Sequence, residues 1–527
     1  MIDRFRKLPI GIQGFTGLRK DDYIYIDKTE YIYNLAHGGK EYFLSRPRRF
    51  GKSLLLSTMK AYWEGKKELF KGLKIEELEK NNPDAWKKYP VFHFDFNGES
   101  YQVNGILEKV LDYQLTDWEE NYGLKTRKEN LSERFKDLLI EANKQTGLRA
   151  VVLVDEYDKP LLEVMDKPEL EEHNKAVFKG FFSSLKKLDE YLKFVFITGV
   201  TKFEKISIFS DLNQLRDISF TKDYAEICGI TEKEIRSNFL PEILSLAREQ
   251  ELSEEECFAK LKQTYDGYHF YPKKTGVYNP FSLLNAFADG EFRSYWFSTG
   301  TPAFLVKKIA DSDFDIRKFT DKTIYANEAM LSDYRADNPD LVPLLYQTGY
   351  LTIIDYEKIS REYTLSFPNE EVEYGFLENL MPQYVSNCYP GSGKDIFTLR
   401  RYVESGDLEN IRNVLTALFA SITYTNKKSP FEHYFQSVLY LVFTLLGKLT
   451  ICEMHTFSGR VDCILQTKKF IYIFELKRDG TADEALRQIE DNKYALPFSD
   501  DKRKLYKIGV VFNSNERILS DWKAINN

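Results

Sequence analysis

Two short stretches of this chain carry residue types whose order suits phosphate chemistry. In the first, the apolar run Tyr42-Phe43-Leu44 leads into Ser45-Arg46-Pro47-Arg48-Arg49-Phe50-Gly51-Lys52-Ser53 and then the helix-like LLLSTMKAYW. Gly-Lys-Ser at a helix start is the working end of a Walker A loop. Gly51 lets backbone amides approach phosphate, Lys52 reaches the β and γ oxygens, Ser53 can ligate magnesium, and the helix N-terminus adds its dipole. The first glycine of G-x-x-x-x-G-K-S is replaced here by Arg46. Arg46, Arg48 or Arg49 could supply positive charge in cis, as an arginine finger does, or could form a solvated basic loop beside Phe50. Downstream, the apolar run 151–154 ends in Asp155-Glu156, a Walker B pattern. Asp155 would hold magnesium and Glu156 would polarise the attacking water. Thr198 and Thr201 lie just past the next strand, where a hydroxyl could sense the γ-phosphate. The expected cofactor is ATP with Mg2+, and whether it is hydrolysed or only held stays open.

The second stretch is GRVDCILQTKKFIYIFELKRD. Strand side chains alternate, so Glu475 and Lys477 share one face, and Asp462 joins them if the two predicted strands pair. Two carboxylates and an ammonium on one face form a nuclease-like arrangement. The carboxylates would hold Mg2+ or Mn2+, and Lys477 would orient or deprotonate the nucleophile. Gln488, on the following helix, could orient water or the metal shell, and Glu432, on the preceding one, could add a carboxylate. The bland alternative is a Glu-Lys pair on a strand edge with Asp462 in a turn.

These residues need elements to position them. EYFLS, YPVFHFDF, RAVVLVDE and LKFVFITGV read as strands separated by helical stretches, and the unbroken runs VVLV and FVFI suit parallel strands covered on both faces. The expected architecture is a multi-domain α/β chain. A P-loop core spans 1–217, a helical lid 218–300, a connector 301–426 and a small α/β domain 427–527. A length of 527 residues exceeds what one core usually supports, and the 39 Phe and 34 Tyr mostly serve cores. Net charge is −7, yet from Lys427 to the end 16 Lys and Arg face 13 Asp and Glu, a tilt that favours an anionic partner for that end. The N-terminus lacks a secretory signal, no run of about 18 apolar residues occurs, and five scattered cysteines form no C-x-x-C pair. The chain therefore reads as cytoplasmic, with no membrane partner.

Taken in order, LPIGIQGF, YIYIDKTEYI, SRPRRFGKSLLLSTM, VVLVDEYDKPL, FITGVTKFEKISIF, YDGYHF, VYNPFSLLNAF, YWFSTGTP, SFPNEEV, GRVDCIL, FELK and ALRQI resemble a family of bacterial AAA-ATPase-like proteins that carry a C-terminal PD-(D/E)XK nuclease-superfamily domain. The resemblance implies an AAA-like sheet, a restriction-endonuclease-like C-terminal fold, nucleotide-site positions at Lys52, Ser53, Asp155 and Glu156, and nuclease-core positions at Asp462, Glu475, Lys477 and Gln488. It also implies DNA or RNA as partner, and AAA-like modules often assemble into homo-oligomers. Two functions follow: an ATP-coupled, metal-dependent nuclease, or a nucleotide-switched protein whose nuclease fold binds nucleic acid or a partner without cutting. Tyr265-Asp266-Gly267-Tyr268 reads as a structural turn, while Asp27-Lys28-Thr29 could contact nucleotide or cap the next helix, with capping the preferred role.

Overall fold

The computed structural model describes residues 6–125, 128–203, 215–272, 275–298, 303–310, 312, 314, 316, 318–321, 324–332, 340–385, 396–421, 438, 441–446, 451–457, 460–513, 516 and 518–526. They form two compact units, one of residues 1–300 and 322–372, the other of residues 301–321 and 373–527. The 301–426 span, expected as a single connector, is thus divided between them. The division follows packing rather than chain order, which a linear reading cannot see.

The first unit is built on a five-stranded sheet of β1 (Glu41–Ser45), β2 (Val91–Asp95), β3 (Ala150–Asp155), β4 (Leu192–Gly199) and β5 (Arg216–Asp217). Their spatial order is β2-β3-β4-β1-β5, and every pairing is parallel. All six β3 residues are buried, which accounts for its unbroken apolar sequence. Helices cover the sheet. One of them, Leu131–Thr146, starts where the Asn130 side chain accepts from the Ser132 and Glu133 amides and stops at left-handed Gly147. Aromatic edges fill its inner side: Phe94 meets Phe135 at 5.1 Å and Phe181 at 5.4 Å between ring centroids. Because the strands are parallel, Ser45, Asp95, Asp155 and Gly199 all finish on one edge of the sheet.

Residues 218–300 carry short helices, Glu232–Asn238, Leu240–Glu249, Glu254–Tyr265 and Pro280–Asp289, around a core that includes Ile235, Phe239, Leu261 and Leu283. Capping boxes at Thr231/Glu234 and Ser253/Glu256 and the Asn279 cap start three of them. A two-stranded ribbon, β6 (Ile230–Thr231) with β7 (Val277–Tyr278), closes the group. Gly267 has φ 96°, and a Cβ there would strike the Pro368 carbonyl, so the turn at Tyr265-Asp266-Gly267-Tyr268 demands glycine. Three further strands, β8 (Ile324–Ala326), β9 (Thr352–Glu357) and β10 (Glu362–Ser366), make an antiparallel sheet in the order β8-β10-β9.

The second unit holds a sheet of β11 (Ile451–Phe457), β12 (Arg460–Gln466), β13 (Phe470–Arg478), β14 (Lys504–Asn513) and β15 (Ile518–Asn526), in sequential order. Only β13 and β14 run parallel, and the helix Ala482–Asp491 makes the crossover between them. It buries Leu486 and Ile489 against Ile471, Ile473 and Leu505. Of the helix expected before β11, residues 441–446 are described as helical. Among the described residues, no helix is long and apolar enough to cross a membrane.

Candidate active sites

The 45–53 stretch leaves β1 and enters the helix Lys52–Trp63 through its N-cap Gly51, which has a left-handed φ of 90°. Lys52 is 5% exposed, and its ammonium donates to the carbonyls of Arg46 at 2.9 Å and Pro47 at 3.0 Å. The ammonium therefore sits inside the curl of its own loop. Asp155 ends β3, separated from β1 in the sheet by β4, yet its carboxylate lies near enough to the Ser53 hydroxyl and the Lys52 ammonium to feel both. Burial pushes the Asp155 carboxyl up to about 6, against the pull of that hydroxyl and of the Lys52 charge. Its Oδ1 is buried and makes no hydrogen bond. A hydroxyl and a buried carboxylate oxygen with spare acceptor capacity suit magnesium, which commonly takes one or two protein oxygens beside substrate phosphates. Glu156, the next residue, turns in the left-handed region at φ 48°.

A cavity of about 440 Å³ opens on this loop. Arg48, Arg49, Phe50, Gly51, Lys52, Ser53 and Glu156 line it. Ile10, Ile12, Ile24, Ile227, Phe281 and Leu284 line it too, an apolar surface of the kind against which a flat base can pack. Arg46 points elsewhere. It is 1% exposed, donates to the carbonyls of Ser45, Ser219 and Tyr224 at 2.8, 3.0 and 3.0 Å, and lies 4.0 Å over the Phe270 ring. The expectation that Arg46 contributes charge in cis is accordingly corrected, since its guanidinium is spent on carbonyls and a ring behind the loop. Thr198 is likewise buried beneath the site, its hydroxyl bonded to the Leu44 carbonyl at 2.8 Å, and it does not line the cavity. Thr201 gives its hydroxyl to Asp158 at 2.8 Å.

Asp158 was not expected to matter. Buried, it accepts from the Val200 amide at 3.0 Å and the Thr201 amide at 2.6 Å, so it ties the turn after β3 to the end of β4. Asn97, Lys159 and Glu163 also reach the cavity. Their signal in the sequence was proximity: Lys159 follows the Asp155-Glu156 pair by three residues, and Asn97 stands just past the β2 strand. Asp27 serves as a support, accepting from the Thr29 and Lys74 amides, and Lys28, which also lines the cavity, pairs with Glu234 at 2.7 Å.

In the second unit, antiparallel pairing of β12 and β13 sets Asp462 directly opposite Glu475. Glu475 is fully buried. Two residues along the same face, the Lys477 ammonium lies 3.5 Å from its Oε1 and donates to the Gln488 amide oxygen. Gln488 is held there by the helix Ala482–Asp491, whose Thr481/Glu484 capping box fixes its start. Backbone register thus brings Asp462, Glu475 and Lys477 together, and Gln488 joins them. The Asp462 side chain and all of Glu432 lie outside the described residues. Among the described side chains no three or more His, Cys, Asp or Glu converge as a metal cluster. A buried carboxylate beside a lysine, with an aspartate at the paired backbone position, is a donor set into which a hard divalent cation fits. Lys507, also buried, pairs with Glu490 at 2.6 Å on the neighbouring strand and helix.

Two family models match the chain, one within each unit. Residues 9–209 match a family model described as a predicted AAA-ATPase, and residues 430–522 match one of the PD-(D/E)XK nuclease superfamily. An uncharacterized protein from the vnfD 5' region of Azotobacter chroococcum mcd 1 is 35% identical over 528 residues, spanning 97% of each chain.

Proposed function

The chain belongs to the family of AAA-ATPase-like proteins with a C-terminal PD-(D/E)XK nuclease-superfamily domain, and from that premise we propose that it binds and hydrolyses ATP at the Gly51-Lys52-Ser53 loop and cleaves DNA or RNA phosphodiesters in its second unit. The observation that carries the nucleotide half is that Lys52, Ser53 and Glu156, from two separate stretches of the chain, line one cavity at one edge of the sheet, with Asp155 beside them. Lys52 binds the β and γ oxygens, the apolar residues lining the cavity pack on the base, and Glu156 aligns water with the γ-phosphorus. In the second unit Lys477, oriented by Gln488, holds the attacking water or takes its proton, and Glu475 with Asp462 forms the cation seat. A divalent cation, when bound, offsets phosphate charge at both sites and acidifies water at the second.

The test uses the purified full chain. Labelled ATP with Mg2+ should bind to wild type and not to Lys52→Ala. Single-stranded and duplex DNA and RNA should yield new ends with Mg2+ or Mn2+, and Glu475→Ala should abolish them. ATP-dependent retention of nucleic acid with no new ends would replace cleavage by a holding role. Loss of neither activity in these variants would sink the reading.

A further inference from the structure

The phosphate loop is gripped from outside by residues that its own motif does not explain. The Trp296 indole donates to the Arg48 carbonyl at 3.1 Å. Pro47 lies so close to Gly349 that a Cβ on that glycine, at φ 91°, would stand 2.7 Å from the proline's Cβ. The Arg49 guanidinium stacks 4.7 Å over the Phe281 ring. Arg49 itself has φ 68°, a conformation that costs a non-glycine residue on the order of 1 kcal/mol and persists only where surrounding structure enforces it.

Two of these grips converge on one carboxylate. Glu371, 2% exposed, accepts from the Trp296 amide at 2.7 Å and from the Ser282 hydroxyl, beside Phe281, at 2.7 Å. Burying a carboxylate is costly, and these donors, with the neighbouring Tyr295 amide, offset part of that cost. Its place in the fold is therefore to lock Trp296 and the start of the helix Pro280–Asp289, which carries Phe281 and Ser282, in one arrangement. The loop between those two elements is the one that carries Arg48 and Arg49, both exposed and both lining the cavity.

We infer that Glu371 is a positioning residue of the nucleotide site, fixing the Arg48-Arg49 turn through Trp296 and Ser282 so that these two guanidinium groups face the terminal phosphate. The inference rests on the proposed ATP site. It assigns to Arg48 and Arg49 the charge that Arg46, buried among carbonyls, does not deliver.

The experiment measures labelled ATP and ADP affinities of the full chain. Trp296→Phe keeps the packed ring and removes the indole donor, and Glu371→Gln leaves one acceptor where there were two. Each should lower the preference for ATP over ADP about tenfold while ADP affinity stays within about twofold, as expected when one charge-assisted contact to the terminal phosphate is lost. Arg48→Ala/Arg49→Ala should lose the same preference, and adding Trp296→Phe to it should change nothing more. An unchanged ATP preference in Trp296→Phe overturns the inference, as does an equal loss of ATP and ADP affinity or an effect that persists without the arginines. If wild type binds neither nucleotide, the ATP-site reading itself fails, an outcome distinct from these.

Discussion

The phosphate loop and the C-terminal strand pair both set a lysine beside acidic positions, but they are assembled at different ranges. In the second unit, Glu475 and Lys477 share one strand, Asp462 is one ladder step away, and Gln488 stands on the next helix. Pleat and register alone bring them together. In the first unit, Lys52 and Ser53 follow β1 while Asp155 ends β3 and Glu156 follows it, and the loop from β1 into Lys52 is braced by Ser219, Tyr224, Phe270 and Trp296. The consequence is that a local site tolerates changes elsewhere in the chain, whereas a loop site can be disturbed from far along the sequence.

The sharpest way to break this comparison is to disable each site separately. Glu156→Gln should retain ATP binding and lower ATP turnover by roughly 10²- to 10⁴-fold, while Lys477→Met should lower cleavage by a similar factor and leave ATP binding intact. Parallel assays of phosphate release and of nucleic-acid ends separate the two. Wild-type turnover in Glu156→Gln would remove that residue from the proposed chemistry.

A smaller effect is expected at Arg46, where the long-range bracing is concentrated. Arg46→Met removes a cation whose charged form burial already disfavours, but it strips donors from the Ser45, Ser219 and Tyr224 carbonyls and empties the face of Phe270. The balance should cost about 3 kcal/mol of unfolding free energy, the range seen when a buried charged network loses one member. Denaturant titration of the full chain, following the transition of the first unit, reads it directly. No change would mean that the bracing is redundant.

The same difference in range decides what was legible in the sequence. Alternation revealed Glu475 with Lys477, the Gly-Lys-Ser and Asp-Glu patterns revealed the loop's pieces, and the unbroken runs VVLV and FVFI between helical stretches revealed the parallel sheet behind them. Arg46 could not be read correctly, because its partners Ser219, Tyr224 and Phe270 lie far along the chain. Asp158 and Glu371 were invisible for the same reason: one is defined by the amides at the end of β4, the other by Trp296 and Ser282. The strand β15 escaped because, of its residues, only Leu519 is buried, leaving no apolar alternation to detect. The division of residues 301–426 follows tertiary packing, which leaves no mark in composition.

The smallest expected effect tests whether the C-terminal site is as local as its wiring suggests. The Thr481 side chain accepts from the Glu484 amide, and the Glu484 carboxylate accepts in return from the Thr481 amide at 3.0 Å. This box starts the helix that carries Gln488 to the Lys477 ammonium, and the helix lies so close to the sheet that a Cβ on Gly509 would sit 3.0 Å from Ala485 Cβ. Thr481→Ala should cost about 1 kcal/mol, the usual value of a helix N-cap. Because Leu486 and Ile489 remain buried against the strands, the helix should stay docked and cleavage should fall by less than about threefold. A much larger loss of cleavage at that modest cost in stability would show that Gln488 depends on the cap for its position, and the strand pair would then share the long-range sensitivity of the phosphate loop.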